Sequence, residues 1–205
     1  MTLTLIDLPG VTKIAMGEQP DDICTKTREM IKKAISNPNC IILAVIPAVT
    51  DVYNSEALKL SQEVDPNRLR TIGVVTKVDM MNEVKNCFNV LTNKAYPLAR
   101  GFVGVVNRSQ KDIVQNKDMA TAKADETKFF EEHPVYRSLG DRVGSGFLQK
   151  TLIEILAVHI KKILPKIKQS IMEQLAVIKT IIDDNPALNL DTDCTDTFPH
   201  EFLIL

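Results

Sequence analysis

Four short apolar runs alternate with longer amphipathic stretches through the first half of the chain, and that alternation predicts the fold class. Leu3–Ile6, Ile41–Ile46, Thr71–Val75 and Phe102–Val106 have the aliphatic or β-branched character of strands, and each ends in a polar or turn-forming cluster. Between them, Asp22–Ser36, Ser55–Val64 and Asn82–Leu98 carry apolar residues at helical spacing. Strands alternating with helices predict an α/β domain with a parallel sheet. The unbroken run Ile41-Ile42-Leu43-Ala44-Val45-Ile46 predicts a strand covered on both faces.

After Gln110 the pattern changes. A polar loop over Asp112–Asp118 and a charged helix over Ala120–Glu132, ending before Pro134, are expected, with no further strand. From Phe147 onward two long amphipathic helices are predicted. The first carries Leu148, Leu152, Leu156, Ile160 and Ile163 and is broken or kinked at Pro165; the second carries Ile167, Ile171, Leu175, Ile178 and Ile182. Gly144-Ser145-Gly146 reads as a hinge, which divides the chain into residues 1–145, a helical part over 146–185, and an irregular tail over 186–205.

Composition narrows the function classes. With 205 residues, 44% of them hydrophobic, the chain can bury the core of one domain and part of a second. A formal net charge of -1 leaves no basic excess to neutralise a phosphodiester backbone, so nucleic acid is not an expected partner. The four cysteines (Cys24, Cys40, Cys87 and Cys194) form no C-x-x-C pair and no zinc pattern with His133, His159 and His200. A reducing, cytoplasmic setting is therefore expected. No secretory signal opens the chain, and Ile41–Ile46 is far short of the about 20 residues that span a bilayer. Membrane contact is expected only peripherally, through other segments or partners. Lys161, Lys162, Lys166 and Lys168 read as a solvated helix face.

Three motifs carry chemistry. Leu3–Ile6 would deliver Asp7 to the carboxyl end of a strand, where open α/β sheets bind ligands and where an aspartate suits a hydrated magnesium ion. Pro9 and Gly10 let the backbone turn, and the glycine amide can approach a terminal phosphate closely. Next, Thr71–Val75 runs into Thr76-Lys77-Val78-Asp79. A carboxylate there can accept hydrogen bonds from two adjacent N–H groups of guanine while the lysine stem lies over the base. Adenine presents an acceptor at the matching ring position and would be repelled. The fourth strand delivers Asn107-Arg108-Ser109-Gln110, whose amide, guanidinium and hydroxyl groups can complete the contacts around a purine. Each motif alone is short. Three of them after three strands, all on one rim of one sheet, indicate a guanine nucleotide site.

These residues, together with Val11-Thr12-Lys13, Pro47-Ala48, Asn54-Ser55, Glu63-Val64-Asp65-Pro66, Arg70-Thr71-Ile72-Gly73 and Gly104-Val105-Val106, closely resemble the dynamins and dynamin-related large GTPases, from about Leu3 to about Ile182. The resemblance implies a partial P-loop GTPase domain followed by relay and stalk helices, with GTP and Mg2+ as ligands. It implies Asp7 and Gly10 at the phosphate side, with Asp7 reaching the metal through water. Thr76, Lys77, Asp79, Asn107, Arg108, Ser109 and Gln110 would surround the base, and Asp51 matches a family aspartate that contacts a partner GTPase domain. Two positions depart from the family pattern: Asn82 stands where a carboxylate is usual, and Gly146 where the family has a hinge proline.

No glycine in the chain is followed by Lys and then Ser or Thr, so G-x-x-x-x-G-K-[ST] is not found. That loop's amides and lysine hold and neutralise the phosphates. Negligible hydrolysis by these residues alone is expected, with weak guanine binding at most, since phosphoryl transfer depends on positioning and charge compensation. The resemblance places a further strand between Leu3–Ile6 and Ile41–Ile46, so those two are expected to close up on one another in an altered register, or else the chain aggregates or pairs with another protein. Three alternatives stand: a truncated dynamin-like GTPase, a hydrolysis-dead assembly protein that pairs with intact relatives, or an incomplete gene model. An ATPase is disfavoured by Asp79.

Overall fold

The computed structural model describes residues 4–11, 20, 22–82 and 86–184. Its regular elements are α1 (Ile23–Ile35), β1 (Ile42–Pro47), α2 (Glu56–Val64), β2 (Thr71–Thr76), α3 (Phe88–Leu91), β3 (Phe102–Gly104), α4 (Gln110–Val114), α5 (Met119–Glu132) and α6 (Gly144–Asp184), with 3-10 turns at Val52–Asn54, Val78–Met80 and Tyr136–Leu139. The three strands form one parallel sheet in the order β1-β2-β3, as an α/β chain requires. By compactness the chain divides into residues 1–158 and 159–205.

The pairing register follows from the hydrophobic pattern. Ile42 lies opposite Thr71 and Ile46 opposite Val75, while Gly73 lies opposite Phe102. Alternate side chains then go to opposite faces. On one face Ala44, Ile46, Val75 and Phe102 pack with Leu58, Val78, Leu91, Phe130 and Tyr136. On the other, Ile72, Val74, Val103 and Val105 pack with Leu152, and Leu43, Phe147, Leu148 and Ile155 close around them. Ten of the residues named on these two faces are no more than 3% exposed, which makes this the well-packed centre of the first unit.

Helix ends are fixed by local chemistry. Ser55 Oγ accepts from the Leu58 N–H at the start of α2, and Asp118 accepts from the Thr121 N–H at the start of α5. Asp65 closes the α2–β2 connection. Its carboxylate accepts from the Leu69 and Arg70 N–H groups and from Thr71 Oγ1. Arg70 in turn donates to the Asn37, Cys40 and Val64 carbonyls, tying α1, β1 and α2 to the entry of β2.

Several expectations are corrected. Thr4, Leu5 and Ile6 form no strand; Leu5 is 62% and Ile6 79% exposed, because no ladder pairs with them. The closed-up arrangement with Ile41–Ile46 is therefore not adopted, and Leu3 lies outside the described residues. β1 is not covered on both faces, since Val45 is 49% exposed. The apolar start of α6 packs over β2 and β3 and leaves this part of β1 open. The helix expected over Asn82–Leu98 shrinks to Phe88–Leu91, within a segment where Asn93 caps its own turn by accepting from the Leu98 N–H. Residues 83–85 lie outside the described residues.

The two helices expected from Phe147 are one continuous element through Pro165. A proline removes one rung of the ladder, here the bond to the Lys161 carbonyl, and an exposed helix can leave that carbonyl to water. Gly144-Ser145-Gly146 is the first turn of this helix. In the second unit, Leu164, Ile167, Ile171, Leu175 and Ile178 are all exposed. Among the described residues no helix is long and apolar enough to cross a membrane. The tail over 186–205 lies outside the described residues.

Candidate nucleotide site

Parallel strands put their carboxyl ends on one rim, and the ladder here continues to that rim. Pro47 pairs with Thr76, the Ala48 N–H donates to the Thr76 carbonyl at 2.8 Å, and the Val105 N–H donates to the Val75 carbonyl at 2.8 Å. The segments after β2 and β3, which carry T-K-x-D and N-R-S-Q, therefore leave adjacent strands on the same edge.

The T-K-x-D turn is built around a buried residue. Thr76 ends β2 half-buried, and its hydroxyl faces the Ile46 carbonyl at 3.5 Å. Lys77 follows in the left-handed region at φ 57, ψ 36, a conformation that costs a non-glycine residue about 1–2 kcal/mol. The strain is held by what comes next. Val78 is fully buried, and the Met80 N–H closes the turn on the Lys77 carbonyl at 3.1 Å. With Val78 sunk into the core, Lys77 and Asp79 on either side of it are exposed. A strained residue fixed at the mouth of a sheet is a common feature of ligand sites.

The second loop is held from below and behind. Val106 donates its N–H to Glu126 Oε1 at 2.8 Å, after which Asn107, Arg108, Ser109 and Gln110 are exposed. Arg108 Nη1 donates to the Lys117 carbonyl at 2.9 Å, closing the loop. Ser109 is the N-cap of α4: its Oγ accepts from the Asp112 N–H while Asp112 accepts from the Ser109 N–H and hydroxyl. These bonds from Ser109, joined by Lys117, hold the Asp112 carboxyl down at about 2. Lys117 bridges Asp112 and Asp125, and its ammonium is raised chiefly by the bond to Asp125. Ser109 thus already has a structural partner, whereas the side chains of Asn107 and Gln110 make no hydrogen bond among the described residues that would compete with a ligand.

The remaining candidates are not gathered with these loops. Asp7 and Gly10 lie on the irregular segment over residues 4–11, both exposed, and a β-carbon on Gly10 would meet open space. Thr12 and Lys13 lie outside the described residues. Asp51 is exposed and accepts from the Tyr53 N–H as the cap of the Val52–Asn54 turn.

The donor set on the rim fits the base of a guanine nucleotide: an exposed carboxylate, a lysine stem and exposed amides on neighbouring loops. The phosphate and magnesium side does not fit equally well. Asp7 is brought to no second ligand, and among the described residues no cluster of three His, Cys, Asp or Glu forms. No chemical step can be derived through a metal here.

Reading the motifs missed Glu126. It is 4% exposed, and besides Val106 it accepts from the Ser145 N–H at 2.9 Å and from Ser145 Oγ. A signal was present: Glu126 stands four residues before buried Phe130 on α5, a charged residue in phase with an apolar stripe.

Residues 1–78 match the Dynamin family and residues 86–193 the Dynamin central region. Human Dynamin-3 is 54% identical over 179 residues, covering 87% of this chain and 21% of the relative. Rat Dynamin-1 and bovine Dynamin-2 are each 50% identical over 184 residues, covering 90% of this chain and 21% of the relative. The chain thus spans well under a third of the length of the relatives it matches. With one match extending over more than half of its residues and half of its aligned positions identical to these relatives, the chain belongs to the dynamin family.

Proposed function

We propose that the first unit is the base-reading half of a dynamin-type GTPase domain. Asp79 would accept from the guanine N–H edge, Lys77 would lie along the base, and Thr76, Asn107, Arg108 and Gln110 would complete the pocket. Ser109 would support the loop through its cap, and Asp7 and Gly10 would face the phosphate and magnesium side. The observation that carries this reading is the register that brings the ends of β2 and β3 side by side, with strained Lys77 at the junction. In the whole protein this domain would bind and hydrolyse GTP with Mg2+, and would couple hydrolysis to self-assembly and to membrane fission or remodelling, in the cytoplasm and peripherally at membranes.

Titration of the 205-residue chain with GDP and ADP, followed by the backbone amide resonances of Lys77–Asp79 and Asn107–Gln110, tests it. GDP is expected to shift both loops and ADP neither. Asp79→Asn should lower the guanine response at least tenfold, the effect of losing hydrogen bonds to a charged acceptor. Equal responses to GDP and ADP would sink the proposal. Hydrolysis by these residues alone is expected to be negligible, because they hold no G-x-x-x-x-G-K-[ST].

A second reading is favoured by the exposed apolar residues Leu164, Ile167, Ile171, Leu175 and Ile178, which no helix packs against among the described residues. In it the chain pairs with intact dynamin relatives through this helix and Asp51. Co-purification with a full-length relative, together with no binding of labelled GTP by the 205-residue chain, would support it.

A further inference from the structure

Glu126 touches two parts of the first unit that carry separate jobs. Through Oε1 it holds the Val106 N–H at 2.8 Å, one residue before the Asn107–Gln110 loop. Through Oε2 it holds the Ser145 N–H at 2.9 Å and the Ser145 hydroxyl, in the first turn of α6. The carboxylate is buried on α5 between them, and neither oxygen has another partner among the described residues. Gly144, the residue before Ser145, is buried with φ +88, a backbone conformation that side chains rarely adopt, and it sets the direction in which the first turn of α6 meets Glu126.

We propose that Glu126 is a positioning residue that couples the base-side loop to the start of α6. Both groups share one carboxylate, so a displacement of either reorients it and changes the hydrogen bonds available to the other. A buried acceptor with three donors has two arrangements, fully satisfied or broken, because leaving a buried N–H unpaired is costly. Whatever orders Asn107–Gln110 therefore favours the anchored first turn of α6, and the effect is reciprocal. This inference rests on the reading of Asn107–Gln110 as a base loop.

Amide hydrogen exchange on the whole chain tests it. Ser145→Ala removes one donor on the α6 side and touches nothing in the loop. It is expected to speed exchange at Val106–Gln110 about fivefold, the effect of one lost hydrogen bond, while Ile72–Val75 in β2 keep their rates. Glu126→Gln preserves size but turns an amide toward a donor, and should speed exchange at both Val106–Gln110 and Ser145–Phe147 by more. Unchanged exchange at Val106–Gln110 in Ser145→Ala would overturn the proposal, as would an equal acceleration in β2, which would mark simple destabilisation. GDP separates the two readings. Protection of Asn107–Gln110 without any change at Ser145–Phe147 overturns the coupling and leaves base binding intact. No protection of the loop by GDP removes the base reading, while the Ser145→Ala result still decides whether Glu126 links the two segments.

Discussion

The ring of Phe102 occupies the space where Gly73 would carry a side chain. The two residues are direct partners across β2 and β3, and a β-carbon built on Gly73 would lie 2.1 Å from Phe102 Cδ1. Both sit on the sheet face that packs against Val78, the residue that anchors the T-K-x-D turn. An aromatic laid across a cross-strand glycine fills the pleat that the glycine leaves empty.

Gly73→Ala should therefore destabilise the chain by about 1–3 kcal/mol, the range for overpacking a filled core. The measurement is the denaturant midpoint. Pairing it with Phe102→Leu should recover part of the loss, giving a non-additive double-mutant cycle. Strict additivity of the two substitutions would show that the ring does not depend on the glycine.

The same pair shows what a sequence can and cannot convey. The apolar runs at Ile41–Ile46, Thr71–Val75 and Phe102–Val106 were legible as strands, because period and composition report burial, and the parallel order followed from the helices between them. The cross-strand fit of Phe102 on Gly73 was not, because it depends on register. Leu3–Ile6 is as apolar as the others, yet its described residues Thr4, Leu5 and Ile6 form no strand, since a strand exists only with a partner and its partner is not encoded in its own residues. At the site, T-K-x-D and N-R-S-Q were visible as motifs, but Glu126 was not. Its meaning lies in donors 20 and 19 residues away, at Val106 and Ser145.

Asp65 gives a second prediction, with a pH signature. Burial pushes its carboxyl upward, but bonds from Thr71 Oγ1 and from the Arg70 and Leu69 N–H groups outweigh this and hold it below its ordinary value of 3.8. A carboxyl depressed by folding contributes stability that is complete above its unfolded pKa and is lost as pH falls below that value through the folded one. Wild-type stability should thus decline below about pH 4, and Asp65→Asn should show a shallower decline over the same window. Asp65→Ala leaves the Thr71 hydroxyl, 1% exposed, without its acceptor. A loss of about 3 kcal/mol is expected at neutral pH. A variant with the same pH profile as wild type would show that Asp65 is not the titrating group.

Asp112 should titrate locally. It is held at about 2 by Ser109 and Lys117 against an ordinary 3.8, so the cap on α4 persists above about pH 4 and is lost as pH falls toward 2. The Ser109 amide resonance should move with a midpoint near 2, and in Ser109→Ala the Asp112 carboxyl should return toward its ordinary value. A wild-type midpoint near 3.8 would show that the capping box does not form in solution.

Gly144 and Gly146 open the same helix, and alanine should act on them with opposite sign. Gly144 is buried at φ +88, a region that strains any side chain, and the Glu126 carboxylate lies 3.6 Å from where its β-carbon would be. Gly144→Ala should destabilise by at least 1 kcal/mol, because the backbone must leave the left-handed region and take the Ser145 anchor with it. Gly146 lies two residues further on, with no positive φ and no atom within 4 Å of its added β-carbon. There alanine restricts the unfolded chain and meets no obstacle in the folded one, so Gly146→Ala should stabilise by about 0.5–1 kcal/mol. Thermal unfolding of the two variants provides the comparison. Equal destabilisation by both would mean that the first turn of α6 is held open by its glycines, and that the anchor at Ser145 does not define where the helix begins.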